Sequence, residues 1–130
     1  LDCLLDGQRE LPAHTAFAVR EGAAFLGLAG CPPVDAAAGI YGLFYQLLPA
    51  CWGRGVGLAA ARQVLDRLGA LAPSLVLADT VAGNTASVRI LERLGFIRTA
   101  VHPGAFCRAG QTLDIWDYAL RWDGRNGVPD

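Results

Sequence analysis

Residues 84–96 read NTASVRILERLGF, and residues 51–58 upstream read CWGRGVGL. In the first stretch Asn84 is a favoured N-cap, Gly95 is a favoured helix stop, and the apolar residues between them have helical spacing. In the second stretch three alternate glycines precede an apolar stripe of helical period over residues 57–68. Each stretch therefore predicts a loop that leads into the N-terminus of an amphipathic helix.

The segments around these helices have the composition of strands. Apolar or alternating runs bounded by turn residues predict strands at 14–20, 23–31, 40–48, 74–81, 96–102 and 112–122. Glu21-Gly22 and Pro103-Gly104 predict turns, and the two prolines within 31–35 predict a break because they remove ladder donors. Residues 1–11 resemble the end of a helix, and the polar tail 123–130 is expected to fray.

Length and composition limit the class of protein. The chain has 130 residues, of which 53% are hydrophobic and 18% charged, so we expect a single domain over residues 1–130 with a sizeable core. The net charge of −1 lacks the basic excess of proteins that bind nucleic acid or anionic membranes, and neither partner is expected. Residues 36–53 carry no charge, but their glycines and proline indicate a buried strand and a loop rather than a membrane span.

Cysteine and histidine spacing gives no metal-binding pattern. The four cysteines and two histidines are widely separated: Cys3, Cys31, Cys51, Cys107, His14 and His102. We therefore expect no metal site, and buried, reduced thiols rather than disulfides. The chain begins Leu1-Asp2-Cys3 without a charged leader, so a cytoplasmic location is expected.

The glycine loop at 51–58 has the properties of an anion site. Backbone N–H groups at a helix N-terminus are unpaired, and glycine removes side chains that would keep a phosphate away. Arg54 adds a positive charge. A Walker loop is excluded because the chain has no Lys. The sequence from Gly55 to Ala60 also fits the GxGxxA dinucleotide fingerprint, with Asp79 near the ribose-binding spacing, although an antiparallel meander precedes it.

Taken together, the two stretches resemble the GNAT superfamily of N-acetyltransferases, whose motifs read W-G-x-G-x-G/A and N-x-x-S-x-x-x-L-E-x-L-G-F. The resemblance is narrower to the branch with the ribosomal-protein N-terminal acetyltransferases and covers about residues 15–122. It implies an α/β GNAT fold: a mixed, mostly antiparallel sheet with splayed middle strands, flanked by helices. The family's first strand would precede Leu1, so the chain is expected to be short at its amino end. The resulting open edge suggests a homodimer.

The resemblance implies acetyl-CoA as co-substrate, held between strands 40–48 and 74–81. The backbone of Leu47 and Leu48 would bind the pantetheine amides, and Asn84 and Ser87 would face the pantetheine arm. The residues implied to hold the pyrophosphate are Gly53, Arg54, Gly55, Val56 and Gly57, and the adjacent Trp52 is also implied to bind the cofactor. Pro49 has no N–H to contribute.

Acetyl transfer requires a general base, a stabilised oxyanion and a proton for the departing thiolate. The resemblance implies that a backbone N–H around Leu47 binds the oxyanion. Many family members protonate the thiolate with a Tyr on the second helix, where this chain has Leu91, so Ser87 one turn earlier is the predicted donor.

The usual glutamate base is missing from residues 40–45, and other side chains must be considered. The candidate bases are Tyr45, Asp79, His102, Asp114 and Asp117. Among them His102 is favoured, because histidine is the side chain that changes charge near neutral pH. The predicted catalytic residues are Ser87, Tyr45 and His102. The aromatic residues expected to line an acceptor pocket, or else to pack in the sheet, are Tyr41, Tyr45, Trp116 and Tyr118.

The sequence favours an acetyl-CoA-dependent N-acetyltransferase that acts on a primary amine by direct attack in a ternary complex. The acceptor is a protein N-terminus or a small-molecule amine. Two hypotheses from other classes stay open: a non-catalytic acyl-CoA-binding or regulatory module, motivated by the missing Tyr and Glu, and a dinucleotide-binding fragment.

Overall fold

The computed structural model describes Leu5 and residues 16–122, which form eight strands and two α-helices. The strands are β1 (Ala16–Glu21), β2 (Ala24–Gly30), β3 (Pro33–Asp35), β4 (Ile40–Gly42), β5 (Phe44–Leu47), β6 (Leu75–Val81), β7 (Ile97–Arg108) and β8 (Gln111–Arg121). The helices are α1 (Val56–Leu68) and α2 (Thr85–Arg93). The predicted tail 123–130, Cys3, His14 and all of the predicted helix 1–11 except Leu5 lie outside the described residues.

The strands form two sheets that part in the middle of the molecule. One sheet has the order β1-β2-β5 and the other the order β3-β4-β6-β8-β7. All described pairs are antiparallel except β4 with β6, which is parallel. The expectation of a mixed, mostly antiparallel sheet with splayed middle strands is confirmed.

The parting of the sheets occurs at Leu43. Its N–H still donates to the carbonyl of Leu77 on β6 at 2.8 Å, and directly after it β5 turns to pair with β2. The strand predicted over 40–48 is therefore two strands, β4 and β5, with a different partner on each side of Leu43. A wedge-shaped cleft opens between β5 and β6.

The two helices and both sheets share one hydrophobic core. The residues with no exposed surface are Ala60, Ala61, Val64, Leu65 and Leu68 of α1, Leu91 of α2 and Leu94 at the C-cap of α2. They pack with buried side chains of both sheets, such as Val19 on β1 and Val76 on β6. The apolar stripes read from the sequence thus correspond to the buried faces of both helices.

Two local predictions are wrong. Pro103-Gly104 is not a turn: it lies inside β7, where the ladder with β8 is irregular between His102 and Phe106, and the turn follows at Ala109 and Gly110. The break predicted within 31–35 is present, since β2 ends at Gly30, and the segment ends in β3, an edge strand, where Pro is tolerated. Cys107 is exposed, whereas Cys31 and Cys51 are buried; all three are free thiols.

None of the helices within the described residues is long and apolar enough to cross a membrane.

Candidate active-site cleft

A cavity of about 490 Å³ lies in the gap between β5 and β6. Its walls come from both sheets and from α2, and the residues that line it are Pro32, Val34, Gly42, Leu43, Phe44, Tyr45, Leu77, Ala78, Asp79, Ser87, Thr99, Asp117 and Tyr118. A cavity of this size is in the range of sites that bind small molecules.

The backbone of β5 turns every second peptide toward the cleft. Leu48 N–H donates to the carbonyl of Leu26 at 2.8 Å, and β5 pairs with β2 in antiparallel register. Because hydrogen-bonded and non-hydrogen-bonded pairs alternate along such a ladder, the peptides of Tyr45 and Leu47 point away from β2, toward the gap. Of the two backbone sites predicted for pantetheine, the Leu47 N–H faces the cleft, whereas the Leu48 N–H is bonded to β2.

The glycine loop leads from β5 into α1. Gly53 and Gly55 both have φ of +79°, a conformation that favours glycine, and Gly55 is the N-cap of α1. The first bond of the helix runs from Ala59 N–H to the Gly55 carbonyl at 3.1 Å. The N–H groups of Val56, Gly57 and Leu58 consequently have no acceptor within the helix, and the positive end of the helix dipole lies at the loop.

Two side chains of the loop already have partners. Trp52 is 68% exposed, and its Nε1 donates to the Leu47 carbonyl at 3.1 Å, so its indole lies beside the end of β5. Arg54 Nη2 lies 2.9 Å from Glu21 Oε1, and this hydrogen bond raises the pKa of the Arg54 guanidinium. Arg54 is therefore held toward β1 in this structure.

Gly57 allows α1 and α2 to approach closely. A Cβ at this position would lie 2.9 Å from Ile90 Cδ1 and 3.5 Å from Leu47 Cδ1. The absence of a side chain thus permits α2 to pack beside the first turn of α1 and brings the start of α2 to the end of β5.

The start of α2 presents a hydroxyl group to the cleft. Asn84 Oδ1 accepts a hydrogen bond from Ser87 N–H at 3.1 Å and caps the helix. Ser87 Oγ lies 3.0 Å from Tyr45 Oη across the cavity. Burial raises the pKa of the Tyr45 phenol, an effect that the hydrogen bond with Ser87 partly opposes. Two of the predicted catalytic residues, Ser87 and Tyr45, are therefore in contact and carry their protons at neutral pH.

The third predicted catalytic residue, His102, does not line the cavity but contacts Asp117, which does. His102 Nε2 is 2.6 Å from Asp117 Oδ2, and Asp117 lines the cavity whereas His102 does not. Asp79 on β6 is directly opposite Asp117 in the ladder and also lines the cavity. Asp114 lies outside the lining, where its Oδ1 accepts a hydrogen bond from Gly104 N–H at 3.0 Å.

The aromatic residues divide between cleft and core. Tyr45 and Tyr118 line the cavity. Tyr41 is only 8% exposed and belongs to the core, and the ring of Trp116 lies under the guanidinium of Arg98, 4.5 Å from it. Leu91, at the place of the family's usual Tyr, is fully buried in the core.

Several lining residues were not singled out from the sequence. Pro32, Val34 and Phe44 form an apolar wall, and Thr99 lies beside Asp117, to whose carbonyl its hydroxyl donates at 3.4 Å. Only Phe44, the neighbour of Tyr45 on an alternating strand, gave a signal that could have been used. Within Leu5 and residues 16–122, no group of three or more His, Cys, Asp or Glu side chains is placed to hold a metal ion.

Comparisons with known proteins agree with this geometry. The profile of a family described as an acetyltransferase (GNAT) domain matches residues 5–97. A search of curated proteins found no significant match. Solved structures with the same fold include yncA of Salmonella typhimurium, described with its cofactor acetyl-CoA, at 22% identity and a TM-score of 0.75 over 88% of this chain and 68% of that one.

Two further structures have similar scores. The ribosomal-protein-S18-alanine N-acetyltransferase of Escherichia coli is 18% identical, with a TM-score of 0.75 over 85% of this chain and 71% of that one. The spermidine N-acetyltransferase SpeG of Vibrio cholerae, as an F149A mutant, is 16% identical, with a TM-score of 0.75 over 82% of this chain and 64% of that one. The chain thus spans about two thirds of the length of these structures.

Proposed function

The chain belongs to the GNAT acetyltransferase family, and from this premise we propose that it is an acetyl-CoA-dependent N-acetyltransferase. The acceptor is a primary amine, of a protein N-terminus or of a small molecule, which attacks the thioester directly in a ternary complex. The observation that carries the proposal is the cleft between β5 and β6. It contains a part-buried pair of hydroxyl groups, and β5, whose backbone faces the gap, leads through the glycine loop to the N-terminus of α1.

Acetyl-CoA would lie with its pyrophosphate at the glycine loop and its thioester at the start of α2. The pyrophosphate would accept hydrogen bonds from the loop that begins at Gly53 and from the first turn of α1, where N–H groups have no acceptor within the helix. The pantetheine would pair with the outward-facing peptides of Tyr45 and Leu47, as an added strand does. Its thioester would then lie near Ser87, at the start of α2.

The chemistry follows from the groups at that point. The free amine forms a bond to the carbonyl carbon, its proton passes to Asp79 or Asp117, and the negative charge on the carbonyl oxygen is stabilised by a cleft-facing N–H of β5. When the carbon–sulfur bond breaks, the thiolate takes a proton from Ser87 or Tyr45, whose hydroxyls share a hydrogen bond, and solvent returns a proton to that hydroxyl as the carboxyl group releases one. Burial keeps the Tyr45 phenol protonated beyond its ordinary pKa, so this pair remains a donor across neutral and moderately alkaline pH.

The first test measures the binding of acetyl-CoA by calorimetry. NAD is titrated in the same way as the alternative ligand. Gly53→Glu places a carboxylate in the loop, where it repels the pyrophosphate, and we expect it to abolish binding of acetyl-CoA. Gly110→Glu is a matched control, because Gly53 and Gly110 both have φ of +79° with no atom near the added Cβ. Equal binding by both variants, or binding of NAD in place of acetyl-CoA, would contradict the proposal.

Release of free thiol in the presence of a panel of amines separates an enzyme from a protein that only binds the cofactor. We expect Tyr45→Phe and Ser87→Ala each to lower kcat by about 10- to 100-fold without weakening acetyl-CoA binding. Because the two hydroxyls act as one donor, the double variant should lose little more than the worse single variant. Binding without thiol release for any amine would favour the non-catalytic module.

The free, buried thiols of Cys31 and Cys51 fit a reducing compartment, and we place the reaction in the cytoplasm.

A further inference from the structure

The wall of the cleft that faces away from α2 contains Asp117, which His102 contacts from outside the cavity lining. Side chains alternate along β8, so Tyr118, which is 2% exposed and packs on the helix side, directs its neighbour Asp117 to the opposite face. His102 Nε2 lies 2.6 Å from Oδ2 of Asp117. The second carboxylate oxygen of Asp117 remains an acceptor in a residue that lines the cavity.

A second carboxylate lies beside it. Ala82 N–H donates to the Asp114 carbonyl, so these two residues form a hydrogen-bonded pair of the β6–β8 ladder. Because the two kinds of pair alternate, Asp79 and Asp117, three positions away, form a non-hydrogen-bonded pair, in which side chains are closest. Two like charges directly opposite each other destabilise a sheet, and a cation between them would remove that cost. Both groups line the cavity of the proposed reaction.

The remaining wall of this half of the cavity is apolar. It consists of Pro32, Val34 and Phe44, which belong to the β3–β5 side of the gap. Val34 is 59% exposed, so its side chain is open to contact with a ligand. The acceptor half of the cleft thus offers negative charge on one side and an apolar surface on the other.

We propose that Asp117 binds the ammonium group of the acceptor and that His102 is a positioning residue that holds its carboxylate. The acceptor is a primary ammonium ion that carries an apolar group, and this group lies against Phe44 and Val34. The inference rests on the proposed function, because the same cavity must admit acetyl-CoA from the helix side and an amine from the other. Ser87 and Tyr45 face the first reactant and Asp117 the second.

The test uses phenethylamine as the probe, titrated by calorimetry into the protein loaded with coenzyme A. We expect Asp117→Asn to weaken its binding at least about tenfold, because a charge-assisted hydrogen bond is lost. Asp66→Asn is the matched control, since Asp66 is an exposed residue of α1 outside the cleft. The neutral analogue 2-phenylethanol should bind equally to both variants.

Substitution tests the role of His102. We expect His102→Ala, which leaves the Asp117 carboxylate without the contact that holds it, to weaken phenethylamine binding about tenfold. His102→Gln, whose amide can still donate to Asp117, should weaken it less than about twofold, and neither variant should change acetyl-CoA binding. The other charged groups nearby are Asp79 across the ladder, Asp114, which is bonded to Gly104 N–H, and Arg98, which is stacked on Trp116.

Three results would overturn the inference: no binding of phenethylamine to the wild-type complex, equal binding by Asp117→Asn and Asp66→Asn, or equally weak binding by His102→Ala and His102→Gln. The two His102 variants need no substitution at Asp117, so they remain informative even where Asp117→Asn fails to fold. Failure of the proposed function is distinct, because it would appear as loss of acetyl-CoA binding by the wild type before any amine is added.

Discussion

At the scale of single residues, burial controls which groups can ionise. Cys31 follows β2, has no exposed surface, and burial raises the pKa of its thiol from 9.0 to about 11. The sequence predicted a buried, reduced thiol here, since Cys packs as a small hydrophobe. The shift itself depends on the residues that surround Cys31 in three dimensions.

The Cys31 thiol makes stability depend on pH. Below pH 9 it is protonated in both the folded and the unfolded chain; between pH 9 and about 11 only the unfolded chain ionises, and the folded state loses stability as the pH rises. We expect this thiol to account for a loss of about 3 kcal/mol over that range.

Urea unfolding at pH 8 to 11 in the presence of reductant, compared between wild type and Cys31→Ala, measures the effect. Tyr45 and Tyr118 also have raised pKa values because of burial, and they contribute equally to both proteins above pH 10. Parallel curves for the two proteins would contradict the prediction.

Site residues differ in how visible they were in the sequence. The cap formed by Asn84 on Ser87 is local, and the residue types at this spacing predict it. The contact between Tyr45 and Ser87 joins residues 42 positions apart, and it exists only because β5 leaves the larger sheet at Leu43. No local pattern carries that information.

At the scale of elements, β5 owes its position to a glycine on the neighbouring strand. Gly27 on β2 is the partner of Leu47 and has φ of +153°. A Cβ at Gly27 would lie 2.1 Å from the carbonyl oxygen of Gln46 and 2.8 Å from Leu47 Cα, both of which are backbone atoms. The close approach of β2 to β5 is therefore possible only without a side chain here.

Gly27→Ala should lower the free energy of unfolding by about 3 kcal/mol or more, because β5 must move as a whole to avoid the clash. Gly83→Ala is the control: an added Cβ at Gly83 meets no atom within 4 Å, and we expect a change within about 0.5 kcal/mol. Urea denaturation monitored by circular dichroism gives both values, and a Gly27→Ala protein as stable as the control would refute this account.

The positions of the helices and of most strands were predictable from the sequence, but which elements pair or pack with one another was not. The stripe of α1 and the cap of α2 are properties of residues three or four positions apart. The irregular stretch at 103–105 shows the limit: Pro-Gly usually marks a turn, yet pairing with β8 on both sides keeps these residues within β7.

At the scale of the whole molecule, a single core holds together two sheets that share no continuous ladder across the cleft. Val64, Leu65 and Leu68 of α1 pack in a cluster that includes residues of both sheets. Loss of this packing would free both sheets together, and the cleft would lose its shape.

We therefore expect one cooperative unfolding transition, with coincident curves from far-ultraviolet circular dichroism and tryptophan fluorescence. Leu65→Ala, at a fully buried position, should shift both curves equally and cost about 3 kcal/mol. Two separate transitions, or a variant that shifts only one probe, would show that the sheets unfold independently.

The sequence by itself determined the family, the glycine loop that leads into a helix N-terminus, and the capped second helix, because each depends on residue types at short, regular spacing. Only the tertiary structure decided where the sheet opens, which peptides of β5 face the gap, and that Tyr45 meets Ser87 and Asp117 meets His102. These features depend on which strand pairs with which, and such pairing follows from burial and backbone hydrogen bonding across the whole chain.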